Sequence, residues 1–165
     1  MPANAQRTAQ YRYMLMPRTT IFVREADTYL LMKGAANKQL WPGKYNGVGG
    51  HVERGEDVLA SAQRELLEET GLEARLWLCG TVVVDAGDIG VGLYVFTGDV
   101  SGGFLRASAE GAAEWVLFDR ILSLPTVEDV PHVVARIHNM RRGDPPFAAR
   151  SYYPAGGKLK IEFAD

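Results

Sequence analysis

Three glutamates lie close together in the chain, at Glu65, Glu68 and Glu69. On a helix, spacings of three and four residues return to the same face, so the three carboxylates fall within an arc of roughly 100°. Crowded carboxylates disfavour their own ionisation unless a cation compensates them. Oxygen ligands of this kind suit Mg²⁺ or Mn²⁺, which usually keep several waters and bridge to substrate phosphates. The spacing therefore predicts a divalent-cation site for phosphate chemistry.

The alternative interpretation is a solvated helix face, which is the usual position of a charged run. The flanking residues favour the cation site, because they follow a longer pattern without exception. From Gly50 to Leu72 the sequence reads G-x5-E-x7-R-E-U-x-E-E-x-G-U, where U is an aliphatic residue. This pattern resembles the signature of the Nudix hydrolases. The resemblance extends over essentially the whole chain, since a β-hairpin precedes the pattern and strands and a helix follow it.

The resemblance implies a fold, a reaction and a set of metal ligands. The expected fold is α+β, an α/β/α sandwich with a central mixed β-sheet. The expected reaction is the hydrolysis of a nucleoside diphosphate linked to another group, with Mg²⁺ or Mn²⁺ as cofactor. By position in the pattern, Glu65, Glu68 and Glu69 are similar to metal ligands. Glu68 or Glu69 is also able to orient or deprotonate the attacking water.

Other residues of the pattern are implied to support this site. Glu56 and Arg64 resemble a structural pair that fixes the loop before the helix. A backbone carbonyl of Gly49 or Gly50 is implied as a further metal ligand. A segment without side chains lets the main chain approach a metal and a pyrophosphate, although a turn that needs positive φ would also explain the glycines.

The segment before the pattern, KYNGVGG, resembles the branch of the family that hydrolyses oxidised purine nucleoside triphosphates, the MutT type. In that branch an Asn at the place of Asn46 faces the purine, and an amide can donate and accept hydrogen bonds to a base edge such as that of 8-oxoguanine. The alternative is that Asn46 only supports a turn beside Gly47. Glu110 is similar in position to an additional acidic group that binds metal or organises water; the alternative is an exposed loop acid.

Three further positions suggest substrate contacts. Glu128 and Asp129 resemble an acidic pair that holds an oxidised purine, but the aromatic residue that usually precedes this pair is Thr126 or Val127 here. Acids in the first turn of a helix are stabilising in any case, which is the alternative for both. Lys33 matches a basic position that contacts phosphate, and a solvated strand end is its alternative.

These residues lead to one main functional hypothesis and two alternatives. The main hypothesis is a pyrophosphohydrolase that converts an oxidised or noncanonical purine nucleoside triphosphate, such as 8-oxo-dGTP, to the monophosphate and pyrophosphate, and so cleans the nucleotide pool. One alternative is hydrolysis of another nucleotide, such as a dinucleoside polyphosphate, a nucleotide sugar or a capped RNA end. The other is a module that senses a nucleotide without cleaving it, which would not need three crowded carboxylates.

Several predicted elements must position these side chains. Apolar residues at helical spacing predict a helix over 57–70 that ends at Gly71 in a left-handed cap. Two β-rich runs, 19–24 and 28–33, predict a hairpin, and two more follow at 76–86 and 91–100. Residues 101–113 read as irregular, and 114–119 as a short strand. A second helix is expected from Thr126 as N-cap to about Arg141–Gly143, followed by a final hairpin around 155–158.

The composition of the chain limits the classes of protein to which it can belong. The chain has 165 residues, with 18 Lys and Arg against 20 Asp and Glu, so its formal charge of −2 disfavours strong nucleic-acid binding. No run approaches the ~20 apolar residues of a membrane helix. The single cysteine, Cys79, cannot form an intrachain disulfide, and a cytoplasmic location is expected. We predict a flexible segment at 1–10 and one Nudix hydrolase domain over 11–165, with a small nucleotide as partner and its oligomeric state left open.

Overall fold

A computed structural model describes residues 12–37 and 41–164 of the chain. The segment 1–10, predicted to be flexible, lies outside the described residues. The strands are β1 Met14–Glu25, β2 Thr28–Gly34, β3 Tyr45–Asn46, β4 Leu72–Val84, β5 Ile89–Gly103, β6 Gly111–Leu117, β7 Phe147–Tyr152 and β8 Lys160–Phe163. The helices are α1 Val58–Thr70, α2 Phe118–Ile121 and α3 Val130–His138.

The strands form one mixed sheet in the order β3-β2-β1-β5-β4-β7-β8, with β6 paired to β2. Strand β1 runs parallel to β5, and β4 runs parallel to β7; the other strand pairs are antiparallel. The segment after β3 returns to β1 through two isolated bridges, Ile21 to Val48 and Arg18 to His51. These bridges hold the glycine-rich segment, residues 47–50, along β1.

The two faces of the sheet carry different hydrophobic clusters, and each cluster packs against one helix. Helix α1 buries Ala62 and Leu66 in a cluster that includes Ile21 of β1. Helix α3 buries Val134 in the opposite cluster, with Phe22 of β1. Alternate β1 side chains point to opposite faces, as the strand period of two requires. This arrangement confirms the expected α+β fold with helices on both faces of a mixed sheet.

Helix α1 has the ends that its sequence predicts. The Asp57 side chain accepts hydrogen bonds from the backbone N–H groups of Leu59 and Ala60, both at 2.9 Å. Gly71 ends the helix with φ 76° and donates its N–H to the Leu67 carbonyl. These caps satisfy backbone groups that the helix termini would otherwise leave unpaired.

The prediction for the second helix is wrong at both ends. Thr126 is not its N-cap, because residues 125–127 pair with Tyr45 along β3. Helix α3 begins at Val130 and ends at His138, not near Arg141–Gly143. Pro131 accounts for the later start, since proline is favoured in the first turn, where its missing N–H costs nothing.

The predicted irregular segment 101–113 is also partly wrong. Strand β5 continues to Gly103 because it pairs with β4 along its length. Strand β6 begins at Gly111 because it pairs with β2 from that residue onward. The strand predicted over 114–119 ends as part of β6 at Leu117, and the short helix α2 begins at Phe118. Among the described residues, no helix has the length and apolar content that crossing a membrane requires.

Candidate active site

Arg64 joins helix α1 to the loop that precedes it. Its Nε donates to Glu56 Oε1 at 2.6 Å and its Nη2 to Glu56 Oε2 at 3.0 Å, a two-point contact of the kind that fixes geometry. Nη2 also donates to the backbone carbonyl of His51 at 3.2 Å. Hydrogen bonding from Arg64, and from the backbone N–H of Glu53, lowers the pKa of Glu56 to about 2. The loop is thereby held against the helix by a charged pair.

The same guanidinium reaches two of the predicted metal ligands. Arg64 Nη1 donates to Glu65 Oε1 at 2.9 Å and to Glu68 Oε2 at 3.1 Å. Because both oxygens contact one nitrogen, they lie at most about 6 Å apart. The Glu68 side chain is 60% exposed and that of Glu65 only 14%, so one carboxylate is open to solvent and the other is held inside. A cationic group already bridges this pair.

Glu69 is directed to the glycine-rich segment. Its Oε2 accepts a hydrogen bond from the Gly49 N–H at 3.4 Å. Glu69 thus contacts the glycine-rich segment, whereas Glu65 and Glu68 share a contact with Arg64. Across residues 12–37 and 41–164, no three His, Cys, Asp or Glu side chains are grouped so as to hold a metal ion.

Gly50 fits closely against Glu65. A Cβ atom at Gly50 would lie 2.4 Å from Glu65 Oε1, so the absence of a side chain is what lets this carboxylate approach the strand. The Gly50 carbonyl accepts the Thr19 N–H at 2.9 Å, which leaves its second lone pair for another contact. At Gly49 the backbone has φ 146°, a conformation that favours glycine.

The donor set suits a hard divalent cation. It consists of carboxylate oxygens and a backbone carbonyl, the ligands that Mg²⁺ and Mn²⁺ prefer. Glu65 and Glu68 already accept hydrogen bonds from one cationic nitrogen, and the space at Gly50 leaves room for Glu65 beside the main chain. Among the described residues, Glu65, Glu68, Glu69 and the Gly50 carbonyl are the candidate ligands for such an ion, although the three carboxylates are not grouped as a metal site in this structure.

A cavity of about 150 Å³ opens on the α3 side of the sheet. Its floor consists of strand residues that share this face: Arg18, Thr20, Val84, Val91, Leu93 and Ser151. Its other walls come from Thr19 of β1, from loops and from the ends of elements: Trp41, Asn46, Gly47, Gly49, Val127, Asp129, Tyr153 and Leu159. The cavity is smaller than the ~300 Å³ at which ordinary ligand sites begin, so it offers room for a ring system rather than for a whole nucleotide.

Gly49 connects the cavity to the carboxylates. It lines the cavity, and its N–H is the group that donates to Glu69. The next residue, Gly50, lies against Glu65. A ligand that has a ring in the cavity and phosphates at its Gly49 end would thus extend toward the glutamates of α1.

The cavity includes two of the four residues predicted to bind substrate. Asn46 lines it, while its Oδ1 accepts the Gly47 N–H at 2.8 Å, so the side chain also supports the turn. Asp129 lines it as well, and burial raises the pKa of that carboxyl. Glu128 is exposed and is not a lining residue; it lies beside Tyr153, whose pKa is raised by burial and by hydrogen bonding to Glu128. Both acids precede α3, so the expected place in its first turn is wrong.

Lys33 and Glu110 are placed apart from the cavity walls. Lys33 is exposed at the end of β2, with Nζ 5.4 Å from the centre of the Tyr45 ring. Glu110 is exposed in the turn before β6, where its N–H donates to Ser108 Oγ at 3.2 Å. Neither residue lines the cavity.

The sequence interpretation missed most of the cavity floor. Thr20 lies in the strand predicted over 19–24 and Arg18 just before it, and Ser151 and Tyr153 belong to the C-terminal hairpin; none of these residues is predicted from the sequence to have a role at the site. Strand alternation could have placed Arg18 and Thr20 on one face. For Ser151 and Tyr153 there was no local signal, because β7 reaches the cavity only by pairing with β4.

Comparisons with known proteins agree with this fold. A family model described as the NUDIX domain matches residues 14–137. The chain is 31% identical, over 62% of its length and 67% of the relative's, to the oxidized purine nucleoside triphosphate hydrolase of Mus musculus.

Two solved structures share the fold. The mutator MutT protein of Bacillus halodurans has a TM-score of 0.75 at 25% identity, covering 90% of this chain and 97% of the other. The NUDIX domain of NrtR from Shewanella oneidensis, solved with ADP ribose, has a TM-score of 0.68 at 14% identity, covering 84% and 97%. With its complete glutamate pattern on α1 and the family match over most of its length, the chain belongs to the Nudix hydrolase family.

Proposed function

We propose that this Nudix hydrolase acts on an oxidised or otherwise noncanonical purine nucleoside triphosphate and releases the monophosphate and pyrophosphate. The observation that carries the proposal is the position of Gly49, which lines a ring-sized cavity and donates its N–H to Glu69. A base in the cavity would lead its phosphates to the carboxylates of α1. The similarity to the mouse oxidized purine nucleoside triphosphate hydrolase supports this substrate class.

The carboxylates are proposed to hold Mg²⁺ or Mn²⁺ and to prepare water. When bound, the ion would neutralise phosphate charge and increase the acidity of water. Of the two glutamates that contact Arg64, Glu68 is more exposed than Glu65. Glu68 is therefore suited to accept a proton from water that enters from solvent. Glu69 is suited to the same role from the Gly49 side. Arg64 holds the loop before the helix against the helix through its two hydrogen bonds to Glu56.

The base is proposed to be selected by polar groups at the cavity walls. The Asn46 amide keeps its NH₂ group for a ligand, because the Gly47 N–H occupies its oxygen. The Asp129 carboxyl is a second polar group on the cavity wall, and burial raises its pKa. Lys33, Glu110 and Glu128 stay predictions from the sequence, as does the cytoplasmic location.

A panel of substrates with and without metal tests the proposal. Purified protein should hydrolyse 8-oxo-dGTP or another altered purine triphosphate with Mg²⁺ or Mn²⁺, and excess EDTA should abolish turnover. The panel should include canonical triphosphates, ADP ribose, a diadenosine polyphosphate, a nucleotide sugar and a capped RNA. Turnover confined to the linked nucleotides would contradict the proposed substrate class. Binding without hydrolysis of any compound would favour the sensing module.

A further inference from the structure

Two buried hydroxyl groups in the described part of the chain have no hydrogen-bond partner, those of Thr19 and Ser151. Their residues are 3% and 1% exposed. More than nine in ten buried polar groups in native proteins are paired, because an unpaired buried hydroxyl costs folding free energy. Each unpaired group therefore needs an explanation.

The two hydroxyls lie on opposite faces of the sheet. Thr19 alternates with Ile21, so its side chain points to the α1 face, although the residue contributes to the cavity wall. Ser151 alternates with Phe147 and Ala149, both of which pack in the α3-side cluster, so its side chain points to the cavity face. Of these two hydroxyls, that of Ser151 is the one that points to the cavity floor.

The surroundings of Ser151 give its hydroxyl no structural use. Its backbone is paired on both sides, with Val84 of β4 and Ile161 of β8, and its carbonyl accepts the Asp85 N–H at 2.8 Å. The floor beside it is formed by Val84, Val91 and Leu93, which offer no polar side-chain atom. Rotation about the single side-chain bond of Ser151 selects the direction of the hydroxyl.

We infer that Ser151 is a specificity residue, whose hydroxyl hydrogen-bonds a polar edge of the ring that fills the cavity. This inference rests on the proposed function, since it assumes that the ring is the base of a nucleotide. A hydroxyl both donates and accepts, so the facing edge would carry an oxygen, a ring nitrogen or an amino group. Ser151 lies beyond residues 14–137, so the contact belongs to the C-terminal hairpin of this chain and not to the segment shared with the family model.

The test compares binding with stability in Ser151→Ala. Binding of 8-oxo-dGMP, a product that needs no turnover, is measured by calorimetry in EDTA, and the melting temperature is measured without ligand. The hydroxyl is unpaired in the free protein, so its removal should leave the melting temperature unchanged or raise it. Its loss from the complex should raise Kd about tenfold, the cost of one hydrogen bond to a ligand.

Thr97→Val is the matched control. Thr97 is fully buried on β5, but its hydroxyl donates to the Phe22 carbonyl at 2.6 Å and it does not line the cavity. This variant should lower the melting temperature and leave Kd within twofold.

Two results would overturn the inference in distinguishable ways. If wild-type protein binds 8-oxo-dGMP and Ser151→Ala binds it equally well, the role of Ser151 is wrong and the proposed function stands. If wild-type protein does not bind 8-oxo-dGMP, the proposed base cavity and the role of Ser151 fail together.

Discussion

Replacing Gly50 with alanine tests how the carboxylate site is built. The new Cβ would meet Glu65 Oε1 at 2.4 Å, Cδ at 2.6 Å and Oε2 at 2.8 Å, whereas ordinary contacts begin at 3.4 Å. The Glu65 carboxylate must therefore move by about 1 Å. The oxygen nearest to the new methyl group is the one that Arg64 Nη1 holds at 2.9 Å, so the movement also disturbs that ion pair.

The effect should fall on catalysis more than on stability. The atoms that must move are the free end of a side chain, and the Gly50 backbone does not have positive φ. We expect the melting temperature to change little. A displacement of about 1 Å in a site that positions reactants can cost about a hundredfold, so kcat/KM should fall by about that factor, with a higher requirement for Mg²⁺.

Two other glycines serve as comparisons. In Gly92→Ala the new Cβ meets Leu15 at 3.5 Å, an ordinary contact, so activity and stability should stay near wild type. In Gly49→Ala it meets the Thr19 carbonyl oxygen at 2.2 Å with φ 146°, so the backbone itself must shift and stability should fall by at least ~1–3 kcal/mol. The assay is steady-state hydrolysis over a Mg²⁺ titration, with thermal melts of each variant. If Gly50→Ala keeps activity within threefold of wild type, Glu65 does not act at this strand.

Glu68→Gln and Glu69→Gln should each lower kcat by about a hundredfold or more with cooperative unfolding retained, because each removes a charge proposed to bind metal or accept a proton; losses under threefold at both would make this face solvated scaffold. Asn46→Ala should reduce the preference of kcat/KM for 8-oxo-dGTP over dGTP by about 1–3 kcal/mol, whereas equal slowing of both nucleotides would assign Asn46 to the turn alone. For Asp129, burial holds the pKa above its usual 3.8, so the folded state binds the proton more tightly and the resulting stability is present at low pH and lost as pH rises. The melting temperature of Asp129→Asn relative to wild type should therefore increase from pH 3 to pH 7, and a difference that is constant with pH would contradict the shift.

The helix with the glutamates could be predicted closely because its signals are local. Asp57 caps its first turn and Gly71 its last, and both act within a few residues of the helix that they end. The hairpin of β1 and β2 is of the same kind, since its strands are separated only by a short turn. Function could be predicted at the level of the family for the same reason, because the residues from Gly50 to Leu72 are contiguous.

The cavity could not be predicted because its residues are brought together by long-range pairing. Ser151 reaches the floor through the parallel pairing of β7 with β4, and Asp129 reaches the wall because Val127 is hydrogen-bonded to Tyr45. The predicted second helix begins too early for a related reason. Thr126 has the side chain of an N-cap, but its backbone is used in a bridge to Tyr45, so tertiary pairing overrides the local preference.

The central claim is that a purine in the cavity presents its phosphates to the carboxylates of α1. Hydrolysis of 8-oxo-dGTP and dGTP with Mg²⁺, with the products separated by anion-exchange chromatography, tests it most directly. We predict the monophosphate and pyrophosphate as products, and a higher kcat/KM for 8-oxo-dGTP. Two results would contradict the account: release of the diphosphate and phosphate, or no hydrolysis of 8-oxo-dGTP and none of dGTP.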